Sequence, residues 1–308
     1  MNEIEIPPSV RKMMAEIGPK WATQTAVHVK MMIDAFTPIL VDAPKAGVTR
    51  TDDLAYGTDP RQNLDLFVPS VQGGDKKRPM LLFIHGGAFV DGEKNRSAEI
   101  YSNVCWYFAR HGIVAANVEY RQAPATTYPG CIEDMRLAVA WARANAAKYG
   151  ADPNRLFLMG HSAGAAHAAG YAYERARHPA DGAGLAGLIV VSGRVRADNR
   201  ADNPNAKKVE AYYGTSDAAR LDALSPVGMV DTHSVPTFIA YGQYENPRLD
   251  IYCLELAHRL AQAKGAVPPL MVLPGHNHTS IIAHFNTAEE SLPRALVEFM
   301  TNTQAERK

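Results

Sequence analysis

Along this chain the spacing of apolar positions changes period several times, and each change marks a different kind of element. Over residues 9 to 40, Met13, Met14, Ile17, Trp21, Met31, Met32 and Phe36 recur three and four apart. That interval keeps side chains on one face of a helix, so one or two helices are predicted. From residue 54 the interval drops to two. Residues 54–56 and 64–68, joined across the turn-forming Gly57-Thr58-Asp59-Pro60, predict a hairpin at a sheet edge.

Further on, the strands lose their alternation. Residues 80–84, 113–118, 156–159, 188–191, 237–241 and 270–273 are short, nearly continuous apolar runs, the pattern of strands buried on both faces. Helical stretches separate them. One covers 95–110, and a second covers 131–149 with Cys131, Met135, Ala138 and Ala142 on one stripe before Gly150. A third is expected to start with Asn246 as its cap and Pro247 at its first position, carrying Leu249, Cys253, Leu256 and Leu260 up to Gly265. A last helix is predicted over 289–300. Strands alternating with helices predict an α/β fold, a mainly parallel sheet covered by helices on both faces.

No linker rich in Gly, Pro or Ser divides the chain, so a single domain over 1–308 is expected. Residues 194–233 are too long for a plain connection and should hold short helices near the strand ends. Five of the eleven methionines fall in the first 32 residues, and methionine adapts to varied apolar shapes. Residues 9–40 therefore read either as a lid over a substrate pocket or as plain packing against the body, and 194–233 is a second possible lid element.

In such a sheet, sites gather outside the carboxyl ends of the strands. Four loops there are polar or glycine-rich: His85-Gly86-Gly87-Ala88-Phe89, Gly160-His161-Ser162-Ala163-Gly164, Gly242-Gln243-Tyr244-Glu245 and Pro274-Gly275-His276-Asn277-His278. The second has the G-x-S-x-G spacing between a buried strand and a small-residue helix. A serine at that sharp turn is held out in a strained backbone conformation, and the flanking glycines let the backbone pass closely. Its hydroxyl is a weak nucleophile until a base takes the proton, a task that suits histidine near neutrality, and the histidine needs a carboxylate to fix its tautomer. Glu245 and His278 follow Ser162 in the order acid, then histidine. Asp250 ranks behind Glu245 because it falls inside the third predicted helix, and Asp217 and Asp222 lie in 194–233 rather than behind a strand. His276 and His278 could pair as metal ligands, but no third ligand stands at recognisable spacing and the serine motif needs none, so no metal or other cofactor is expected.

Composition narrows the partners. Lysine plus arginine equals aspartate plus glutamate, 32 of each, so there is no net field to attract nucleic acid or an anionic membrane, and a small-molecule substrate fits better. Cys105, Cys131 and Cys253 are scattered and odd in number, which suits reduced core thiols and a cytoplasmic location rather than a disulfide framework. The segment from Met1 to Pro8 lacks a basic region followed by an apolar stretch, and nowhere do eighteen apolar residues run together, so neither an export signal nor a membrane span is expected. Oligomeric state is left open.

The four loops, together with Tyr120-Arg121-Gln122-Ala123-Pro124, resemble the α/β-hydrolase fold enzymes. Within them the likeness is to the carboxylesterase branch that includes hormone-sensitive-lipase-like esterases and bacterial relatives of kynurenine formamidase. It runs from about residue 54 to 300. The resemblance implies Ser162 as nucleophile, His278 as base, and the backbone amides of Gly86, Gly87 and Ala163 as the oxyanion hole. Glu245 stands where most members carry aspartate, although glutamate is familiar among the formamidase-like relatives. The family pattern sets the base just before a small polar residue and a helical segment, here Thr279-Ser280-Ile281-Ile282, and this selects His278 over His276, which is left to brace the loop. His85, His161 and His167 read as structural.

The implied activity is hydrolysis of a small carboxylic ester through an acyl-enzyme. An aryl formamide, or another activated amide or carbamate, is the alternative on the same triad. A non-catalytic small-molecule receptor on this scaffold is disfavoured because no triad member is missing.

Overall fold

The computed structural model describes residues 3–70 and 78–303. Met1 and Asn2, which open the segment read as lacking an export signal, lie outside the described residues, as do 71–77 and 304–308. The element order is α1 (Pro8–Ile17), α2 (Thr25–Val41), β1 (Val48–Ala55), β2 (Asn63–Pro69), β3 (Arg78–Ile84), α3 (Ser102–Arg110), β4 (Val114–Val118), α4 (Gly130–Asn145), β5 (Ala151–His161), α5 (Ala163–Tyr173) and β6 (Gly187–Val191). After these come α6 (Ala206–Tyr213), α7 (Ala218–Ala223), β7 (Thr237–Tyr244), α8 (Leu249–Lys264), β8 (Leu270–Asn277), α9 (Ser280–Ala283) and α10 (Ser291–Asn302). Among the described residues the strands form one sheet in the order β1-β2-β4-β3-β5-β6-β7-β8. β1 and β2 form the antiparallel edge, and from β4 to β8 every pairing is parallel. This is the mainly parallel sheet expected from the alternation of strands and helices, in the α/β-hydrolase arrangement that the resemblance implied.

The pleat sorts the apolar runs into two cores, because successive side chains on a strand face opposite ways. Met80, Leu82 and Ile84 of β3, with Leu156 and Leu158 of β5, pack under α4, α5 and α8. Leu81, Phe83, Phe157 and Met159 pack against α1, α2, α3 and α10. Each such fully buried side chain contributes about 1.5–3 kcal/mol relative to exposure. Both faces are thus covered, which is why the runs lack polar positions.

Several boundaries differ from the sequence expectation. Only Ser102–Arg110 of the 95–110 stretch is helical, because Lys94 and Asn95 are drawn into hydrogen bonds with Asp65. The third helix begins at Leu249, after Arg248 in a left-handed conformation (φ 70°). Asn246 is therefore not its cap, and its Oδ1 instead accepts from Trp21 Nε1 at 2.8 Å. Gly265 does close the helix in the left-handed conformation expected of it (φ 72°).

Candidate active site

The glycine-serine turn connects β5 to α5. Ser162 sits there at φ 57°, ψ −119°, a region that costs a non-glycine residue about 1–3 kcal/mol and persists only where the surroundings enforce it. Here they do. Ser162 N–H donates to the Val191 carbonyl, and the Ser162 carbonyl accepts from Arg194 N–H, both at 3.0 Å. The glycines leave room for crossing backbones. A Cβ on Gly164 would lie 2.3 Å from the Ile84 and His85 carbonyl oxygens, and one on Gly160 would lie 2.4 Å from Ala165 Cα.

Beyond β8 the chain brings His278 over this turn. A register irregularity separates the Gly242–Leu273 and Tyr244–Asn277 pairings of β7 and β8, and such a bulge re-aims side chains. The Asn277 side chain accepts from the Thr279 and Ser280 amides, while His278 N–H donates to the Tyr244 carbonyl. As a result, His278 Nε2 lies 3.1 Å from Ser162 Oγ and its Nδ1 lies 2.7 Å from Glu245 Oε2. With Nδ1–H donating to the carboxylate, Nε2 is left to accept the serine proton. The Glu245 side chain is 3% exposed, and a buried carboxylate requires donors. Its other oxygen, Oε1, accepts from Ser192 Oγ at 2.5 Å and from Gly242 N–H at 2.9 Å.

Ser192 was not read from the sequence, where its signal is only a small polar residue directly after a buried strand. His161, read as structural, lies beneath the pair. Its Nε2–H donates to the His278 carbonyl at 2.9 Å, and burial, reinforced by the neighbouring His278, holds its pKa well below the usual histidine value. The remaining candidates have other partners. His276 Nε2 bonds Glu289 Oε1 at 2.8 Å and the ring lies against His284, so the two loop histidines serve different carboxylates. Asp217 caps α7 through the Arg220 amide, Asp222 pairs with Arg196, and Asp250 lies in the first turn of α8.

The other glycine loop approaches from the opposite side. Gly86 stands where a Cβ would be 3.1 Å from Ser162 Cβ. The loop is pinned by Tyr120 hydroxyl on the His85 carbonyl (2.8 Å), by Ala123 N–H on the Phe89 carbonyl and by the Gln122 amide on the Asp91 and Gly92 carbonyls, which accounts for the Tyr120–Pro124 motif. His85 itself bonds Glu119. Ala163 is the first residue of α5, so its amide has no intrahelical acceptor.

Ser162, His278, Gly86 and Gly87 open into a cleft of about 700 Å³. Residues 22 to 27, Val29 and Ile33 line it, as do Arg194, Pro204, Asn205 and Lys208 from the 194–233 excursion. The described methionines of this region do not. Met14 and Met32 are buried in the core, and Met13 and Met31 pack against it, so the residues that α2 and the connection before it show to the cleft are small, branched or polar. No helix among the described residues is long and apolar enough to cross a membrane.

Comparison with known proteins finds esterases among the relatives and the structural neighbours of this chain. Esterase LipQ of Mycobacterium tuberculosis is 25% identical over 293 residues, covering 85% of this chain and 63% of LipQ. Isoprenylcysteine alpha-carbonyl methylesterase ICME of Arabidopsis thaliana is 29% identical over 163 residues, covering 53% of this chain and 33% of that protein. The chain thus spans less than two thirds of the length of these curated relatives. Among solved structures, a bacterial heroin esterase superposes with a TM-score of 0.67 at 26% identity, covering 93% of this chain and 91% of that one. Esterase Est22 superposes with a TM-score of 0.70 at 19% identity over 98% and 94%, a likeness of fold alone. Residues 64–247, more than half of the chain and including Ser162 and Glu245, match the BD-FAE family, and with the α/β-hydrolase sheet and serine turn already described, the chain is a member of that family.

Proposed function

We propose that this chain is a serine hydrolase that cleaves a small carboxylic ester through an acyl-enzyme, with Ser162 as nucleophile, His278 as general base and Glu245 as its orienting acid. The observation that carries this is the unbroken hydrogen-bonded series Ser162 Oγ, His278 Nε2, His278 Nδ1, Glu245 Oε2 at the mouth of the cleft. Ser162 Oγ attacks the acyl carbon as His278 Nε2 takes its proton, and Glu245 stabilises the imidazolium that forms. The negative charge that develops on the carbonyl oxygen is met by the amides of Gly86, Gly87 and Ala163, each such donor contributing about 3 kcal/mol to the transition state. His278 then protonates the departing alcohol. In the second half, water repeats the sequence on the acyl carbon and releases the acid, restoring Ser162.

The body forms a single domain in this reading. Residues 9–40, through α2 and the connection before it, and residues 194–233 act as lid elements that set pocket shape, supported by their place in the cleft lining. Three buried, unpaired cysteines suit a cytoplasmic setting. The test is labelling with a fluorophosphonate probe alongside turnover of p-nitrophenyl acetate and N-formylkynurenine. Labelling at Ser162 with turnover of the ester is expected. Turnover of the formamide alone would move the reading to an amide hydrolase, and a folded protein that is neither labelled nor active would end it.

A further inference from the structure

The wall of this cleft contains a cation without the hydrogen bonds that its burial demands. Arg194 follows β6 by three residues, and its amide is bonded to the Ser162 carbonyl at 3.0 Å, which ties it to the serine turn itself. Its side chain is 2% exposed, yet Nη1 and Nη2 are buried and make no hydrogen bond. Asp198 stands 3.7 Å from Nη1, but that same carboxylate oxygen already accepts from the Tyr252 hydroxyl at 2.5 Å. A buried charge whose donors are unmet is strongly destabilising unless another group supplies acceptors.

The contrast with another buried arginine is instructive. The Arg110 side chain is 4% exposed, and its two terminal nitrogens both reach Glu3. The terminal nitrogens of Arg110 are satisfied by the protein and only its Nε is left unbonded, whereas both terminal nitrogens of Arg194 are left for something that enters the cleft it lines. Charges nearby reinforce this. Arg96 and Lys208 also line the cleft, and the carboxylate among its described lining residues, Asp91, lies 4.0 Å from Arg96.

We propose that Arg194 anchors an anion subsite, and that the preferred ester carries a carboxylate on its acyl or its alcohol half. The planar guanidinium presents parallel N–H donors that fit the two oxygens of a carboxylate, and a guanidinium is charged at neutral pH. The assignment of an ester rests on the function proposed above. The anion preference rests on Arg194.

Two matched pairs test it: 3-acetoxybenzoate with 3-acetoxybenzamide, which place the charge on the alcohol half, and monomethyl glutarate with its monoamide, which place it on the acyl half. In the wild type, kcat/KM for the charged member of one pair should exceed that of its neutral partner by about tenfold or more, the scale of one charged hydrogen-bonded contact. That ratio should fall to near one in Arg194→Gln and be intermediate in Arg194→Lys. Because each ratio is taken within one variant, partial loss of folded protein cancels. If Arg194→Gln does not fold, Arg194→Lys and calorimetric binding of the same four compounds to the Ser162→Ala protein decide the question. A wild-type ratio at or below one in both pairs overturns the subsite, as does a ratio unchanged by substitution. Hydrolysis of neutral esters without any preference for charge removes the subsite and leaves the esterase. Selective binding of a charged compound to the Ser162→Ala protein, with no ester turned over by the wild type, keeps the subsite and removes the esterase.

Discussion

Two histidines one residue apart, His276 and His278, each form a pair with a glutamate, and the two pairs are nearly equal in length, 2.8 and 2.7 Å. Both imidazoles are almost excluded from solvent, with side-chain exposures of 3% and 7%. They differ at the far ring nitrogen and at the acid. His278 Nε2 reaches Ser162 Oγ, whereas His276 Nδ1 is buried and bonds nothing. Glu245 is fully enclosed and held by Ser192 and Gly242 as well as His278. Glu289 is partly exposed and also pairs with Arg11 at the surface. A hydrogen bond from His276, working against burial, pulls the Glu289 pKa down to about 2. A histidine–carboxylate pair is thus a common structural fastener. It becomes a proton relay only where the backbone delivers a third group to the free nitrogen.

If that distinction is right, the largest effect falls on His278. His278→Ala should lower kcat by roughly 10⁶-fold on a p-nitrophenyl ester, as should Ser162→Ala, and the double variant should lose little more, because members of such a unit are strongly non-additive. Equal activity losses in His278→Ala and His276→Ala would erase the distinction. Next comes the acid. Glu245→Gln preserves shape but removes the charge that fixes the imidazole tautomer, and a loss of roughly 10⁴-fold in kcat is expected. The same change at Glu289 should leave kcat within about tenfold.

A finer test uses Ser192, whose hydroxyl distinguishes the environment of Glu245 from that of Glu289. Ser192→Ala removes one of three donors to a buried carboxylate, so kcat/KM should drop by about tenfold to a hundredfold, with the alkaline and acid limbs of the pH–rate profile displaced. A purely structural role would lower the amount of folded enzyme and leave the profile in place. For His276→Ala the expected cost is stability, about 0.5–1.5 kcal/mol from losing its hydrogen bond to Glu289, which keeps Arg11, read from urea denaturation.

The smallest effect involves His167, which has no acid at all. Burial pushes its pKa down to about 3, and the same holds for His284, where the neighbouring His276 adds to it. In the unfolded chain each takes up a proton near the usual value of 6.5, in the folded chain only near 3. Between those values the unfolded state holds more protons, so stability complete above pH 6.5 is lost progressively as pH falls toward 3. Glu289 adds a loss at lower pH, as its carboxylate protonates between 4.5 and about 2. The urea midpoint should therefore fall from pH 7 to pH 5. His167→Leu should flatten that slope, since the His167 Nε2 makes no hydrogen bond that would be lost. An identical slope in the variant would show that His167 is not held neutral.

The parts of the fold legible in the sequence are those governed by local pattern. Apolar runs at 80–84 and 156–159 carry the pattern of strands buried on both faces, and Gly150 and Gly265 end helical segments in the left-handed conformation that glycine adopts without strain. Asn246 misled because its side chain satisfies a distant indole rather than the nearby helix, a choice that no local pattern carries. The methionines of 9–40 left packing and lid both open for a related reason, and the structure packs the described ones in or against the core. Helical spacing told that they share a face, but whether that face meets the core or the cleft depends on where the sheet lies.

For the candidate site the division is similar. The serine turn and its glycines are local, since strand, tight turn and helix follow one another without a break, and the order of acid and histidine after it is a property of the chain. By itself, then, the sequence determined the α/β class, the serine turn and the short set of residues that could join it. The family resemblance pointed to His278 over His276, but only the tertiary structure shows its Nε2 against Ser162, Ser192 and Gly242 completing the shell around Glu245, and the Arg194 terminal nitrogens buried in the cleft wall without a hydrogen bond. The Ser192–Glu245 and Ser162–His278 contacts depend on strand register and join residues 53 and 116 positions apart. The pleat and the bulge between β7 and β8 set them, whereas local spacing encodes only which side of its own element a residue occupies.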